Sequence, residues 1–440
     1  MSNQENLEAT LSKLGIAALN EMQQEANTAI QESSEILLLS PTGSGKTLAF
    51  LLPLMSVLQK DVADVQCLII VPTRELALQI ESVWRKMSTG FKVTCCYGGH
   101  DVQTEVRSLS EAPALLVGTP GRLMDHIFRK SFTTRKINTL ILDEFDKSLE
   151  LGFQDEMAEI MQNLRALKKK VLVSATAGSK VPSFTGVKNP VTLDFIENKN
   201  QKSGLAVKLV LSDKKDKTEK LIQLLSYLGA ESTLIFCNLR ESVERLSAVL
   251  KEEGIDCAYF HGKLEQEDRE RTLIRFRNGS VLYLAATDLA ARGLDIPDMK
   301  HVIHFELPMK GDEFTHRNGR TARMLTEGTA YILLNPDDIL PNYISKKPPV
   351  LDLPGKLPLP APSEWTTIYI SGGKKNKLNK MDIVGFLIQK GKLEKQDLGL
   401  IEVKDTISFA AVRKSQVKSM LSLIAEEKMK GKKFKIEVAR

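Results

Sequence analysis

Through the first 195 residues, short runs that are apolar on both faces keep returning between stretches with helical spacing. EILLLS (35–40), QCLIIVP (66–72), KVTCCYG (92–98), ALLVGTP (114–120), TLILDE (139–144) and KVLVSA (170–175) read as strands. TLAFLLPLMSVLQK and RELALQIESVWRKM, lying between them, read as helices. A strand apolar on both sides must be covered on both sides, and crossover helices are what join parallel neighbours. The pattern predicts an α/β fold built on a parallel sheet. After a polar break, ENKNQKSG (197–204), the alternation resumes with STLIFCN, CAYFHG, SVLYLAAT, HVIHFELP and GTAYILLN. Two α/β domains in tandem are expected, over residues 1–200 and 205–335.

The rest of the chain changes character. Residues 336–363 carry eight prolines, so 336–364 reads as a semi-rigid connector. Residues 365–440 then run strand, helix, strand, strand, helix, strand, the order of a small α+β (RRM-like) sandwich. This last segment holds 17 Lys+Arg against 8 Asp+Glu, a surplus of +9, whereas the whole chain is only +6. The other 364 residues therefore sum to −3, and the basic excess suggests an appended module for a polyanion. No apolar run approaches the roughly 18 residues a membrane span needs. The N-terminus, MSNQENLEATLSKLG, is not expected to be a signal peptide, because it lacks a basic region followed by an apolar one. Cys67, Cys95, Cys96, Cys237 and Cys257 show no paired metal spacing, and buried thiols in a reducing cytoplasm are expected.

SPTGSGKT (40–47) follows the first strand and opens a helix. Gly43 and Gly45 allow backbone N–H groups to turn inward around phosphate oxygens, and the helix N-terminus adds positive potential. Lys46 is placed to reach the outer phosphates, and Thr47 to offer a hydroxyl to magnesium. About 100 residues later, TLILDEFD ends a strand in Asp143, Glu144 and Asp146. Three carboxylates within four positions repel one another unless a cation offsets them. In open α/β sheets ligands gather where strands end at their carboxyl edge. Asp143 is thus expected to hold magnesium, directly or through water, and Glu144 to orient the attacking water.

At this point the chain resembles the DEAD-box RNA helicases, with two RecA-like domains. The resemblance runs in order from about Gly15 to Arg323 through SPTGSGKT, PTRELALQ (72–79), Gly98-Gly99, TPGR (119–122), DEFD (143–146) and SAT (174–176). It continues through LIFCN (234–238), HGKLEQEDRERTLIRFRNG (261–279), ATDLAARGLDI (286–296) and HRNGRTAR (316–323). Residues from about 366 to 440 look like the RNA-binding domain of DbpA-type helicases.

The resemblance implies roles for particular residues. Ser40, Pro41, Thr42, Gly43, Ser44, Gly45, Lys46 and Thr47 would cradle ATP, Gln23 would read the adenine edge, and Asp295 would touch the ribose. Ser174 and Thr176 would couple Asp146 to the RNA-bound state. Arg74, Gly99, Thr119 and Arg122 on the first domain, with Arg269 and Thr287 on the second, would grip the RNA backbone. Arg320 and Arg323 would be arginine fingers; a planar guanidinium suits the spread charge of phosphoryl transfer. The chain departs from the family pattern in three places: Phe145 within DEFD, Leu19 for the usual proline of the Q motif, and the pair Asn6 and Leu7 where an upstream aromatic is usual. Looser nucleotide selectivity is the expectation from the last of these. In the C-terminal domain TISFAAV lacks an aromatic-rich RNA-stacking signature, so Tyr369 and Phe409 are expected to be packed and the loop GGKKNK (372–377) to meet RNA. The implied activity is an RNA-dependent ATPase using ATP and magnesium. It would separate short duplexes or remodel ribonucleoprotein, acting as a cytoplasmic monomer on ribosomal RNA during large-subunit assembly. A non-catalytic ATP-switched RNA clamp and a DNA helicase are the alternatives.

Overall fold

A computed structural model of the protein describes residues 3–41, 43–176, 180–196, 205–288, 299–321 and 328–439. The chain divides into two compact units, one built on the first sheet and the other on the second sheet with the C-terminal domain. Of the residues named above, Thr42, Asp295 and Arg323 lie outside the described residues.

In the first unit, helices α1 (Asn3–Leu14) and α2 (Glu21–Glu32) precede strand β1 (Glu35–Leu39) and helix α3 (Lys46–Val57). Then follow β2 (Cys67–Ile70), α4 (Arg74–Met87), β3 (Val93–Cys96), α5 (Val102–Leu109), β4 (Leu115–Gly118) and α6 (Pro120–Phe128). The unit is completed by β5 (Thr139–Asp143), α7 (Phe145–Glu150), α8 (Gln154–Asn163), β6 (Lys169–Ser174) and β7 (Val191–Asp194). The strands pair in the order β3-β4-β2-β5-β6-β1-β7, parallel throughout. One apolar layer contains Phe50, Ile69, Ile80, Trp84 and Val171; the other contains Leu68, Leu116, Leu140, Phe145 and Leu172. Neighbouring strand residues such as Leu68 and Ile69 fall in opposite layers, as period-two geometry requires. Helix α4 shows how sequence fixes an element. Thr73 caps it by accepting from Leu76 N, and its stripe Leu76, Ala77, Ile80, Trp84, Met87 is buried, with Trp84 Nε1 donating to Phe91 O. Leu7 and Leu19, at the two departures from the Q-motif pattern, pack against the first layer.

The second unit starts with β8 (Leu205–Leu211), α9 (Thr218–Leu228), β9 (Thr233–Phe236), α10 (Arg240–Glu252), β10 (Cys257–Phe260) and α11 (Gln266–Arg277). It continues with β11 (Tyr283–Ala286), β12 (His301–His304), α12 (Gly311–Asn318) and β13 (Gly328–Leu334), in the parallel order β10-β11-β9-β12-β13-β8. The proline-rich connector is not a free tether. Leu209 N donates to Pro349 O and Leu351 N to Leu209 O, so residues 349–351 run beside β8, and Leu351 and Leu353 pack on the core.

The C-terminal domain has β14 (Trp365–Ile370), α13 (Lys380–Gln389), β15 (Leu398–Val403), β16 (Ser408–Arg413), α14 (Lys414–Ile424) and β17 (Ile436–Val438). Its antiparallel sheet is ordered β15-β16-β14-β17. Ile368, Ile370, Ala410 and Val412 share the core formed with α13 and α14. Their alternates, Thr367, Tyr369, Phe409 and Ala411, must therefore occupy the other face. Among the described residues no helix is long and apolar enough to cross a membrane, and all five cysteines are unpaired and buried.

Candidate functional site

The first sheet brings two groups of expected residues to one edge, side by side. Strands β1, β5 and β6 deliver the residues expected at the nucleotide at their carboxyl ends: Ser40, Pro41 and Gly43 to Thr47 after β1, Asp143 and Glu144 at the end of β5, and Ser174 and Thr176 at the end of β6. Strands β2, β3 and β4 deliver Arg74, Gly99, Thr119 and Arg122 from the same edge. The boundary between the sets is the β2–β5 pairing.

The loop after β1 is shaped by its glycines. Gly43 and Gly45 sit at φ +84° and +88°, backbone that side-chain-bearing residues rarely adopt. A Cβ on Gly45 would also lie 2.5 Å from Gln23 Nε2. Lys46 begins α3 and folds its ammonium back on the loop, donating to Ser40 O at 2.6 Å and Pro41 O at 2.9 Å. Ser40 is fully buried; its N–H bonds Ser174 O and its hydroxyl bonds that of Ser44. α3 has no side-chain cap at Gly45, and Leu48 N and Ala49 N both turn back to Gly45 O; a helix start of this kind suits an anion. Gln23, expected at the adenine edge, has both ends of its amide on the protein: Oε1 accepts from Asn20 N and Nε2 donates to Gly45 O. Asn20 Nδ2 donates to Ser44 O, so the capping box that starts α2 also braces the phosphate loop.

Asp143 and Glu144 are both buried. Burial, reinforced by the neighbouring Glu144, raises the Asp143 carboxyl to about 7, while Lys46 and the bond from Glu144 N to Asp143 Oδ1 pull the other way. Glu144 occupies the left-handed region, φ 49° and ψ 47°, at the start of α7. That conformation is strained for a residue with a side chain and turns the chain sharply from strand to helix. The next acid, Asp146, accepts the Thr176 hydroxyl at 2.6 Å, and Thr176 N donates to Ser174 Oγ at 2.9 Å. A two-bond chain thus ties the end of β6 to α7.

On the other half of the edge Arg74 and Gly99 are pressed together: a Cβ on Gly99, at φ +97°, would fall 2.1 Å from Arg74 Nη1. Arg122 donates to Glu105 Oε2 and to His100 O, both at 3.1 Å. Glu105 is itself buried and also accepts Tyr97 N and faces His126 Nε2 at 2.7 Å. This carboxylate, which no motif flagged, sets the loop 97–100 against α6.

In the second unit Arg269 lies on α11 over the Phe260 ring, and Thr287 follows β11, with its N–H on Phe260 O. Arg320 is buried two residues past α12. The strongest network belongs to Arg317, which the motif reading passed over. Its guanidinium grips Asp288 twice (2.7 and 2.6 Å), and donates to Glu306 O at 2.5 Å and Asn238 Oδ1 at 2.7 Å. It also stacks over Phe236.

Beside it, fully buried His304 places Nε2 2.9 Å from Asn318 Oδ1 and stacks on Phe314. Burial, with the adjacent Arg317 charge, drives the imidazole down to about 3 from 6.5. In the unfolded chain it would carry a proton below about 6.5; in the folded chain only near 3. The folded state therefore binds fewer protons in that window, and stability is full above pH 6.5 and falls as pH drops toward 3. Between pH 6.5 and 5 the loss is expected to reach about 2 kcal/mol. Chemical denaturation at the two pH values should show it, and His304→Gln, which can still donate to Asn318, should remove it; an equal slope in both proteins would refute the assignment.

Comparison with known proteins adds the following. Residues 20–184 match the family profile "DEAD/DEAH box helicase", 216–325 "Helicase conserved C-terminal domain", and 367–438 "DbpA RNA binding domain". The chain is 32% identical to "ATP-dependent RNA helicase DbpA" of Escherichia coli (strain K12), over 98% of this chain and 96% of that protein. It is 33% identical to "ATP-dependent rRNA helicase RRP3" of Encephalitozoon cuniculi (strain GB-M1), over 76% and 85%. Among solved structures, Mss116p bound to single-stranded RNA and AMP-PNP superposes with a TM-score of 0.67 at 27% identity, covering 76% of this chain and 73% of that one.

Proposed function

The chain belongs to the DEAD-box ATP-dependent RNA helicases and carries a DbpA-type RNA-binding domain, and from that premise we propose that it remodels structured ribosomal RNA by separating short duplexes during ribosome assembly. The observation that best supports this reading is the shared edge of the first sheet, where the phosphate loop and acids adjoin the Arg74–Gly99–Arg122 group.

In this reading Lys46 leaves the carbonyls of Ser40 and Pro41 for the outer phosphates of ATP, and Gln23 and Asn20 keep the loop in register. Thr47 and Asp143 would hold magnesium, which would supply positive charge opposite the phosphates. An oxygen-only pair suits a hard cation, and a carboxylate raised to about 7 by burial and by the adjoining Glu144 gains most from one. Glu144 orients the attacking water and takes its proton. Arg320 and Arg323 supply the second domain's charge to the transferring phosphoryl group, and Asp295 contacts the ribose. Arg74, Gly99, Thr119, Arg122, Arg269 and Thr287 hold RNA backbone, with no base edge read. Occupancy of the RNA half reaches the acids through the Thr176–Asp146 bond.

The C-terminal domain selects the RNA. Loops at one end of its sheet converge: Lys374 N bonds Lys404 O, Lys375 N bonds Asp405 O, Lys430 Nζ reaches Lys377 O and Ser371 N bonds Lys435 O. The result is a lysine-rich end carrying Lys374, Lys375 and Lys377 beside Lys404, Lys430 and Lys435, the last three paired with Glu402, Asp382 and Glu437, and suited to a phosphate backbone. That a relative bears the name rRNA helicase supports ribosomal RNA as the target. The protein acts as a monomer in the cytoplasm. ATP turnover measured with total ribosomal RNA, with RNA depleted of it and with single-stranded DNA tests the reading. Ribosomal RNA should stimulate most and DNA least; equal stimulation by all three would overturn it.

A further inference from the structure

The C-terminal sheet has one face on its own helices and the other on the second RecA-like domain. Phe409 is 1% exposed and Ile274 of α11 0%, and with Ala439 they form a cluster against which Tyr369 packs. Around it Thr367 Oγ1 lies 2.6 Å from Ser280 Oγ and 3.4 Å from Asn278 Nδ2. Arg277, the last residue of α11, pairs with Glu402 of β15 at 2.8 Å, and Ser363 in the connector bonds Gly279 O. Apolar centre, polar rim and a bridging ion pair are the anatomy of a specific interface. Where sheets of this four-stranded kind take single-stranded RNA, they stack its bases on aromatics of the two central strands. Here those strands are β14 and β16, and Phe409 is spent on Ile274.

We propose that this face is a permanent intramolecular dock, closed to RNA throughout the working cycle. It would fix the RNA seized by the basic end of the domain at one position relative to α11. α11 carries Arg269 near its start and Arg277 at its end, so the same helix would meet the RNA backbone and hold the domain that selects the RNA. A fixed mount delivers the duplex beside a captured stem-loop at a higher effective concentration than a swinging tether does. The proposal rests on the RNA-helicase reading above for the role of Arg269.

A lock across the dock tests it. The Ser280 and Thr367 hydroxyls are near enough for a disulfide in the full-length variant Ser280→Cys/Thr367→Cys. The native thiols do not compete, since burial raises all five above their ordinary range. The probe is a labelled RNA stem-loop joined to a short duplex. Oxidised and reduced protein should bind it, turn over ATP and release the duplex strand within about two-fold of each other. A ten-fold loss of RNA affinity or of duplex release on oxidation, reversed by reductant, would show that the face must open and overturn the dock. Arg277→Glu supplies the converse. It should cut duplex release about five-fold while ATP turnover with single-stranded RNA is kept, and adding Glu402→Arg should restore it. No loss in Arg277→Glu, once limited proteolysis shows the domain freed, would overturn the delivery role. Failure of RNA to stimulate the unmodified enzyme would instead strike the helicase reading itself.

Discussion

Glu144→Gln will leave a protein that binds ATP and RNA but turns ATP over about 10²–10⁴-fold more slowly, the usual contribution of a positioned general base. The substitution keeps the volume and the hydrogen-bonding reach of the side chain and removes only its charge and basicity. Glu144 sits in a left-handed turn between β5 and α7, which glutamine tolerates no worse than glutamate. The change also removes a negative charge adjoining buried Asp143, whose carboxyl that charge helps raise. Folding should not suffer, and thermal melting should match or exceed that of the parent. Phosphate release at saturating RNA, read beside nucleotide affinity, separates the effects. Parent-like turnover would assign the proton transfer elsewhere.

Arg317→Met is expected to be the most damaging substitution for folding in the second domain, at about 3–5 kcal/mol, because it leaves a charge without its partner. Arg317 is 1% exposed, and every described hydrogen bond it makes is to Asp288, Asn238 or the Glu306 carbonyl. Methionine can replace the stem but strands the Asp288 carboxylate and the Asn238 amide oxygen. Adding Asp288→Asn should recover part of the loss, since the pair is coupled and the second change removes the orphaned charge. Thermal unfolding of the single and double variants measures this. A loss below about 1 kcal/mol in the single variant would mean water or another cation serves Asp288 as well.

The strands that could be read from sequence were those apolar at nearly every position, because burial on both faces leaves no room for a polar alternate. β7 and β8 were missed for the converse reason. Val191–Asp194 is four residues long and mostly exposed, and Leu205–Leu211, at the margin of its sheet, carries Lys208 and begins right after the polar break. The phosphate loop and the acids were legible because their chemistry demands particular residues at particular spacings. Glu105 and Arg317 were not, since a buried ion pair is made by residues distant in sequence and neither partner has a local signature. Gln23 was placed by resemblance alone, and only coordinates show that its amide is committed to Asn20 and Gly45. Packing of Phe409 was foreseen from the weak aromatic signature of its strand; that its cover is the second domain's α11 was not.

The run of residues 349–351 along β8 has a practical consequence. Residue 335 looks like a natural stopping point, because the last strand of the second sheet ends at Leu334. A chain cut there would free the Leu209 amide and carbonyl in the middle of the edge strand β8 and uncover the core that Leu351 and Leu353 pack on, completing an edge on which strands from other molecules add. Shortened forms that keep the chain through Leu353 should stay dispersed where those ending at 335 clump.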